Sequence, residues 1–166
     1  MFYNFKNLKL CVNGRFMFAN DVSLSLQNNL EPLFTNPNKH ASSYGPTTAL
    51  EGNLKLSYYI TGEDILKNFI SDENTTITGN FGGLFFNSGY LKDYELTVIP
   101  YNPVQVNSNI VFYEPVKGAI SPTNEKAVPV TILNTIDIGL NNQNIGNLAE
   151  ITSASYSFSN EIIPLY

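Results

Sequence analysis

The sequence predicts an all-β fold: an antiparallel β-sandwich or barrel with one short flanking α-helix and one long loop. Three observations predict it. Apolar and polar residues alternate with a period of two in several segments, turn residues separate these segments, and a single segment shows helical spacing. Because 166 residues is a typical size for one domain, we expect residues 1–166 to form a single β-sandwich domain.

The alternating segments each place apolar side chains on one face of a strand and polar side chains on the other. Such alternation is typical of antiparallel sheets with one buried and one hydrated face. The clearest examples are residues 8–12, 22–26, 54–58, 94–98 and 154–158, and two further strands are predicted at 109–114 and 128–138.

Turn residues punctuate these strands. Asn13–Gly14 is the strongest hairpin signal, because both positions of its turn must accept a positive φ. Asn87–Gly89 predicts a second, slightly longer turn, between strands at 84–86 and 90–96. Pro100 and Pro103 are expected to end the preceding strand, since proline donates no hydrogen bond to a sheet.

One helix is predicted at about 61–71, in the stretch TGEDILKNFISDE. Thr61 is the expected capping residue, and Glu63 and Asp64 lie where a helix dipole favours acids. The apolar residues with helical spacing are Ile65, Leu66, Phe69 and Ile70. We expect this stripe to cover one face of the sheet or one mouth of the barrel.

A long loop is predicted at 28–52, where three prolines interrupt any sustained period. Loops of this length inside a compact domain are usually functional or disordered. Its apolar residues argue against simple disorder, which leaves two hypotheses: an arm that lies on another subunit, or a loop folded back on its own sheet. The candidate interface residues are Leu30, Leu33, Phe34 and Tyr44 in this loop, together with Phe85 and Tyr90.

The composition excludes several classes of function. Charged residues make up 14% of the chain, the formal net charge is −5, and Arg15 is the single arginine. Gripping nucleic acid requires clustered Lys or Arg to neutralise phosphates, so specific nucleic-acid binding is not expected. A surface this poor in charge guards weakly against self-association, which suits a chain whose surface is covered by partners.

The sequence also lacks the combinations of residues that catalysis or metal binding requires. His40 and Cys11 are the only histidine and cysteine, so neither a Ser-His-acid arrangement nor a multi-thiolate zinc site is predicted. The glycines at 79, 82 and 83 lack the Lys-Ser or Lys-Thr of a phosphate loop, and we expect them to mark a bulge or a close backbone approach. We therefore predict no catalytic residues, no metal, no cofactor and no enzymatic activity.

The sequence shows no apolar run long enough for a membrane span and no signal-peptide pattern at MFYNFKNLKL. Synthesis in a cytoplasm is the resulting expectation.

Four segments carry a resemblance to a known family: CVNGRFMFANDVSLSLQNNLEPLF, LEGNLKLSYYITGEDILKNFI, ITGNFGGLFFNSGYLKDYEL and NIVFYEPVKG. In this order they resemble the tail tube proteins, or major tail proteins, of tailed bacteriophages. The resemblance covers roughly residues 8–120 and rests on the order of elements: a hairpin, a long loop, strands framing one helix, then a strand pair and an aromatic strand.

The resemblance implies a virion protein made in the host cytoplasm, in hexameric rings stacked into a tail tube. Its partners would be further copies of itself and other tail or virion proteins, and DNA would pass through the lumen without specific binding. Loop 28–52 would correspond to the arm that such proteins extend to neighbouring subunits or rings.

Two other interpretations remain open. Another virion β-sandwich, such as a capsid decoration, head–tail adaptor or baseplate protein, would share the charge-poor surface without needing a closed ring. A carbohydrate-binding β-sandwich would use exposed Tyr and Phe together with Asn, and would be a monomer or a small oligomer.

Overall fold

The alternating segments become antiparallel strands in the computed structural model, which confirms the all-β fold with one short helix. The structure describes residues 9–28, 30–33, 43–46, 50–71, 75–121, 138–140, 143–146 and 153–162. Nine of the described strands form one sheet. They are β1 (Leu10–Val12), β2 (Arg15–Met17), β3 (Ala19–Gln27), β6 (Glu51–Tyr59), β7 (Ile77–Phe81), β8 (Leu84–Val98), β9 (Gln105–Phe112), β10 (Lys117–Gly118) and β13 (Ala154–Ser159).

Two small hairpins lie outside this sheet. One is formed by β4 (Leu30–Leu33) and β5 (Ser43–Pro46), and the other by β11 (Ile138–Leu140) and β12 (Gln143–Gly146). The predicted long loop at 28–52 therefore contains a two-stranded hairpin in its described part, and its last residues open β6. Of the strand predicted at 128–138, Ile138 begins β11 and the other residues lie outside the described part.

The strand order shows how the sheet is folded over. The order is β2-β1-β7-β8-β9-β6-β3, and β10 and β13 both pair with β8. The strands at the two ends of this order, β2 and β3, are separated in the chain only by Phe18. Since consecutive Cα atoms are about 3.8 Å apart, the two ends of the sheet must lie close together. The result is a sandwich-like arrangement around one core.

Strand β8 holds the two halves of this arrangement together. Its 15 residues have β7 and then β13 along one edge, and β10 and then β9 along the other. The core lies inside the fold and consists of Leu10, Val12, Met17, Val22, Leu54, Leu56, Tyr58, Leu66, Phe69, Ile77, Phe86, Leu91, Tyr94, Val106, Ile110 and Phe112.

The Asn13–Gly14 hairpin is confirmed. Val12 pairs with Arg15 across a two-residue turn, and Asn13 and Gly14 have φ values of 48° and 76°. Both values are those of the mirror-image turn that matches the twist of two antiparallel strands.

The turn predicted at Asn87–Gly89 is wrong, because these residues lie inside β8. The chain reverses earlier, at Gly82–Gly83, where φ is 60° and 96°. Asn87 and Ser88 instead form a β-bulge, and both of their backbone N–H groups donate to the Glu114 carboxylate. The side chain of Glu114 thus satisfies donors that the bulge removes from the ladder.

The helix is shorter than predicted. Helix α1 covers Lys67–Ser71, and residues 61–66 form bends instead of its first turns. The prediction that Thr61 caps this helix is therefore wrong. Asp64 Oδ1 accepts the Leu66 N–H at 3.0 Å, a local side-chain bond that competes with helix formation. The apolar stripe is confirmed, since Leu66 and Phe69 are buried in the core.

Two aromatic rings fill the centre of the core. Phe86 and Phe112 stack with ring centroids 4.2 Å apart and planes 7° from parallel. Glycines make room for them: a Cβ at Gly52 would overlap the Phe112 ring, and a Cβ at Gly79 would overlap the Phe86 ring. The sequence prediction that Gly79 marks a close approach is confirmed at this contact.

Candidate functional site

The five strands β3, β6, β9, β8 and β13 present a continuous polar surface. Their pairing registers align ten polar side chains in two rows that cross all five strands. One row is Ser23, Lys55, Asn109, Asp93 and Ser159, and the other is Asp21, Ser57, Asn107, Glu95 and Ser157. We call these ten residues the polar face. They line a groove of about 570 Å³.

The polar face follows directly from the period of two. Leu54, Leu56 and Tyr58 of β6 are buried, so the alternate residues of the same strand must lie on the opposite side. The same alternation in β9 buries Val106 and Ile110 and turns Asn107 and Asn109 outward.

Three side chains of the polar face donate hydrogen bonds across strands, and each bond ends on a carboxylate. The amide Nδ2 of Asn109 donates to Asp93 Oδ2 at 3.2 Å, and Ser159 Oγ donates to Asp93 Oδ1 at 2.8 Å. The amide of Asn107 donates to Glu95 Oε2 at 3.3 Å. The hydrogens used in these bonds are not available to an external anion.

The polar face is acidic. Its charged residues are Asp21, Asp93 and Glu95 against Lys55, a formal net charge of −2. This excess of carboxylates favours positive over negative ligands.

Strands with one unpaired edge border the polar face on both sides. Within the described part of the chain, β3 pairs only with β6, and β13 pairs only with β8. Strand β3 has nine residues, contains no proline and carries Asp21 as its single charge. A long, sparsely charged edge of this kind offers backbone donors and acceptors to another strand.

A second surface contains Phe85, one of the predicted interface residues. Phe85 is 38% exposed, and the registers of β1, β2, β7 and β8 place it in one row with Asn80, Cys11 and Phe16. Phe16 is exposed as well, and Lys9 Nζ lies 3.6 Å from its ring centroid. Cys11 is half-buried on β1.

The other predicted interface residues are distributed elsewhere. Tyr90 is half-buried on β8, where it pairs with Val111. Leu30 and Leu33 lie in β4 and Tyr44 in β5, which pair antiparallel, and Phe34 lies outside the described residues. The structure therefore groups three of them on one hairpin and places Phe85 and Tyr90 in the main sheet.

A cluster of two tyrosines and one carboxylate lies between the sheet and α1. Tyr58 and Tyr94 donate their hydroxyls to Asp64 Oδ1 and Oδ2 at 2.6 and 2.5 Å. Burial raises the pKa of both tyrosines well above the ordinary value, and the adjacent Asp64 carboxylate raises it further. Both hydroxyls therefore keep their protons and act as donors that anchor the residues before α1.

The described residues contain no group of three or more His, Cys, Asp or Glu side chains placed to hold a metal ion. They also contain no helix with the length and apolarity needed to cross a membrane. His40 lies outside the described residues.

Comparison with known proteins gives no family assignment: no protein-family model matches the chain, and no curated protein matches it. The geometry of the polar face and its two edges is thus the main structural guide to function.

Proposed function

We propose that this protein is a structural subunit of a phage tail tube, which assembles with copies of itself into stacked rings whose lumen conducts DNA. The observation that carries the proposal is the polar face, an acidic sheet surface. Strands β3 and β13 border it, and each has one edge that pairs with no other strand in the described structure. The family resemblance supplies the hexameric ring and the location in the virion.

The two edges suit a head-to-tail contact between copies. Pairing β3 of one copy with β13 of the next would satisfy both edges and continue the sheet from subunit to subunit. A contact between two different surfaces repeats around a ring when its rotation closes. Closure leaves neither the β3 edge nor the β13 edge free, which reduces the hazard of uncontrolled strand pairing.

The polar face suits a surface past which DNA slides. Asn107, Asn109 and Ser159 donate to Asp93 or Glu95, and the hydrogens used in these bonds are not available to grip phosphates. Its net charge of −2 in each copy would give six copies a charge of about −12, which repels the DNA backbone. Lys55 is the one cation of the polar face and the one position at which a phosphate would be attracted.

The β4–β5 hairpin is the proposed arm. It forms its own two-stranded sheet, separate from the main one. Isolated two-stranded hairpins are marginally stable in water, so contact with a neighbouring subunit or ring would stabilise this one. Leu30, Leu33, Phe34 and Tyr44 are the residues proposed to make that contact.

Two variants and a matched control test the ring. Leu26→Lys adds a charge to a half-exposed position at the end of β3, and Ser155→Lys adds one to exposed β13. Gly62→Lys adds the same charge at an exposed bend with no atom within 4 Å of its Cβ. Negative-stain microscopy should show rings or tubes for the unmodified protein and for Gly62→Lys, and single particles for the two edge variants.

Circular dichroism should show the same strand content in all four proteins, so that lost assembly is not confused with unfolding. An unmodified protein that stays monomeric at high concentration would contradict the proposal. Edge variants that assemble like the control would contradict the β3–β13 contact. The subunits would then have to form the tube through other surfaces.

The groove favours carbohydrate binding as a second candidate. A volume of about 570 Å³ lies within the usual range for small-ligand sites, and Asp, Asn and Ser side chains suit sugar hydroxyls. Asn107, Asn109 and Ser159 already donate to carboxylates within the sheet, however, and this ranks the candidate below the tube. If the protein is monomeric and is retained on immobilised sugars, and Asp93→Ala is not retained, carbohydrate binding is favoured. A virion β-sandwich that forms no rings would show neither rings nor retention.

A further inference from the structure

The tip of the β1–β2 hairpin carries the one Asn–Gly pair in the sequence. Both residues are exposed. Asparagine is a chemically labile residue, and it is most labile before glycine, because no side chain hinders the glycine nitrogen as it approaches the asparagine side chain.

The reaction at this pair needs only water. The Gly14 backbone nitrogen bonds to Asn13 Cγ, the Cγ–Nδ2 bond breaks, and Nδ2 leaves as ammonia with the proton of the Gly14 amide. A cyclic imide results. Water then opens the ring at Cγ to give aspartate, or at the main-chain carbonyl to give isoaspartate, in which the backbone runs through the former side chain.

Thr78 of β7 holds Asn13 away from this reaction. Asn13 Oδ1 accepts hydrogen bonds from Thr78 N at 2.7 Å and from Thr78 Oγ1 at 3.1 Å, while Asn13 N donates to Thr78 O at 2.9 Å. These bonds extend the β1–β7 ladder by one step beyond the Val12–Gly79 pair. We expect the approach of Cγ to the Gly14 nitrogen to require that Oδ1 leave both of its donors.

We propose that Asn13 is a deamidation site whose rate is set by Thr78, and that isoaspartate at position 13 opens the β1–β2 turn. Aspartate at position 13 keeps the oxygen that accepts from Thr78, and Asp-Gly is itself a favoured hairpin pair. Isoaspartate adds a carbon to the main chain between β1 and β2. This shifts the register that joins Val12 to Arg15. The inference does not depend on the tail tube proposal.

The test follows Asn13 by peptide mapping and mass spectrometry at neutral pH, in native buffer and in urea. The variant is Thr78→Val, which removes the Oγ1 donor at an exposed strand position and keeps the β-branched shape. Thr97→Val on β8 is the control for a general loss of stability. We expect the folded protein to deamidate more slowly than the urea-unfolded chain. Thr78→Val should deamidate about fivefold faster than the unmodified protein when folded, equivalent to one hydrogen bond of about 1 kcal/mol.

In urea, all three proteins should deamidate at the same rate, because the hydrogen bonds to Thr78 are then absent. Equal rates for the folded and unfolded chains, or for Thr78→Val and Thr97→Val when folded, would overturn the inference about Thr78.

The structural consequence has its own measurement. Asn13→Asp should unfold at the same urea midpoint as the unmodified protein, and the purified isoaspartate form should unfold at a lower one. An isoaspartate form as stable as Asn13→Asp would overturn the claim that this product opens the turn.

Discussion

Tyr94 donates its hydroxyl to Asp64 across 2.5 Å, and this bond joins residues 30 positions apart in the chain. Tyr58 donates to the other oxygen of the same carboxylate. Both tyrosines are 4% exposed, so neither hydroxyl has ready access to water if the carboxylate is lost. Asp64 thus fixes the segment before α1 against the middle of the sheet.

Replacing Asp64 should therefore destabilise the fold strongly. Asp64→Ala leaves two buried hydroxyls and the Leu66 N–H without their acceptor, and we expect a loss of about 3 kcal/mol in the free energy of unfolding. The control is the neighbouring Glu63→Ala, which removes exposed ion pairs of 3.7 and 3.8 Å to Arg15 and Lys67. It should change stability by less than about 0.5 kcal/mol. Urea denaturation measures both, and equal effects would contradict the anchoring role of Asp64.

The same cluster predicts how stability depends on alkaline pH. The pKa of Tyr58 and Tyr94 is raised in the folded protein by burial and by Asp64, whereas in the unfolded chain it returns to about 10. Below pH 10 both states keep the protons and stability is complete. Above it the unfolded chain loses protons that the folded protein retains, so stability falls by about 1.4 kcal/mol per pH unit for each tyrosine.

Urea denaturation between pH 9 and 11 should therefore give a falling free energy of unfolding. Tyr94→Phe should reduce the slope of this free energy against pH by the contribution of one tyrosine. Tyr101→Phe changes a residue that is 75% exposed and should leave the slope unchanged. If both variants keep the original slope, other groups are responsible for the alkaline loss.

The contact between Gly52 and Phe112 gives a prediction about core packing. A Cβ at Gly52 would overlap the Phe112 ring, so Gly52→Ala should lower stability by about 3 kcal/mol, as overpacked cores do. Gly62→Ala is the matched control, because nothing lies within 4 Å of its Cβ. The double variant Gly52→Ala with Phe112→Leu should lose less free energy of unfolding than the sum of the losses in the two single variants. Strict additivity would show that the ring is not what excludes the methyl group.

Local signals in the sequence were sufficient to predict the features that depend only on residues close together in the chain. Asn13–Gly14 specifies its own turn, because both residues tolerate the required positive φ. The period of two likewise identifies the polar half of each strand, as with Lys55 and Ser57 of β6. It does not reveal which strands are neighbours. The polar face was therefore not predicted from the sequence, since its rows exist only once five registers are known.

The two wrong predictions involve contacts between distant residues. Asn87–Gly89 has the composition of a turn, but the Glu114 carboxylate, more than 20 residues away, binds the N–H groups of a bulge there. Asp64 has the position of an acid near a helix start, but Tyr58 and Tyr94 bind its carboxylate and the helix begins at Lys67. At the bulge the distant Glu114 sets the backbone path, and before α1 the distant Tyr94 acts together with the local bond from Leu66 N–H to Asp64.

The bulge in β8 depends on Glu114 in a way that can be measured. Glu114→Ala leaves the N–H groups of Asn87 and Ser88 without their acceptor, and we expect a loss of about 2 kcal/mol in the free energy of unfolding. Glu114→Gln keeps an acceptor oxygen without the charge and should lose less, since hydrogen bonds to charged groups are the stronger ones. Hydrogen exchange at Asn87 and Ser88 should quicken in the order unmodified protein, Glu114→Gln, Glu114→Ala. Glu161→Ala, at an exposed residue, serves as the control. If Asn87 and Ser88 exchange no faster in Glu114→Ala than in Glu161→Ala, the bulge does not depend on the carboxylate.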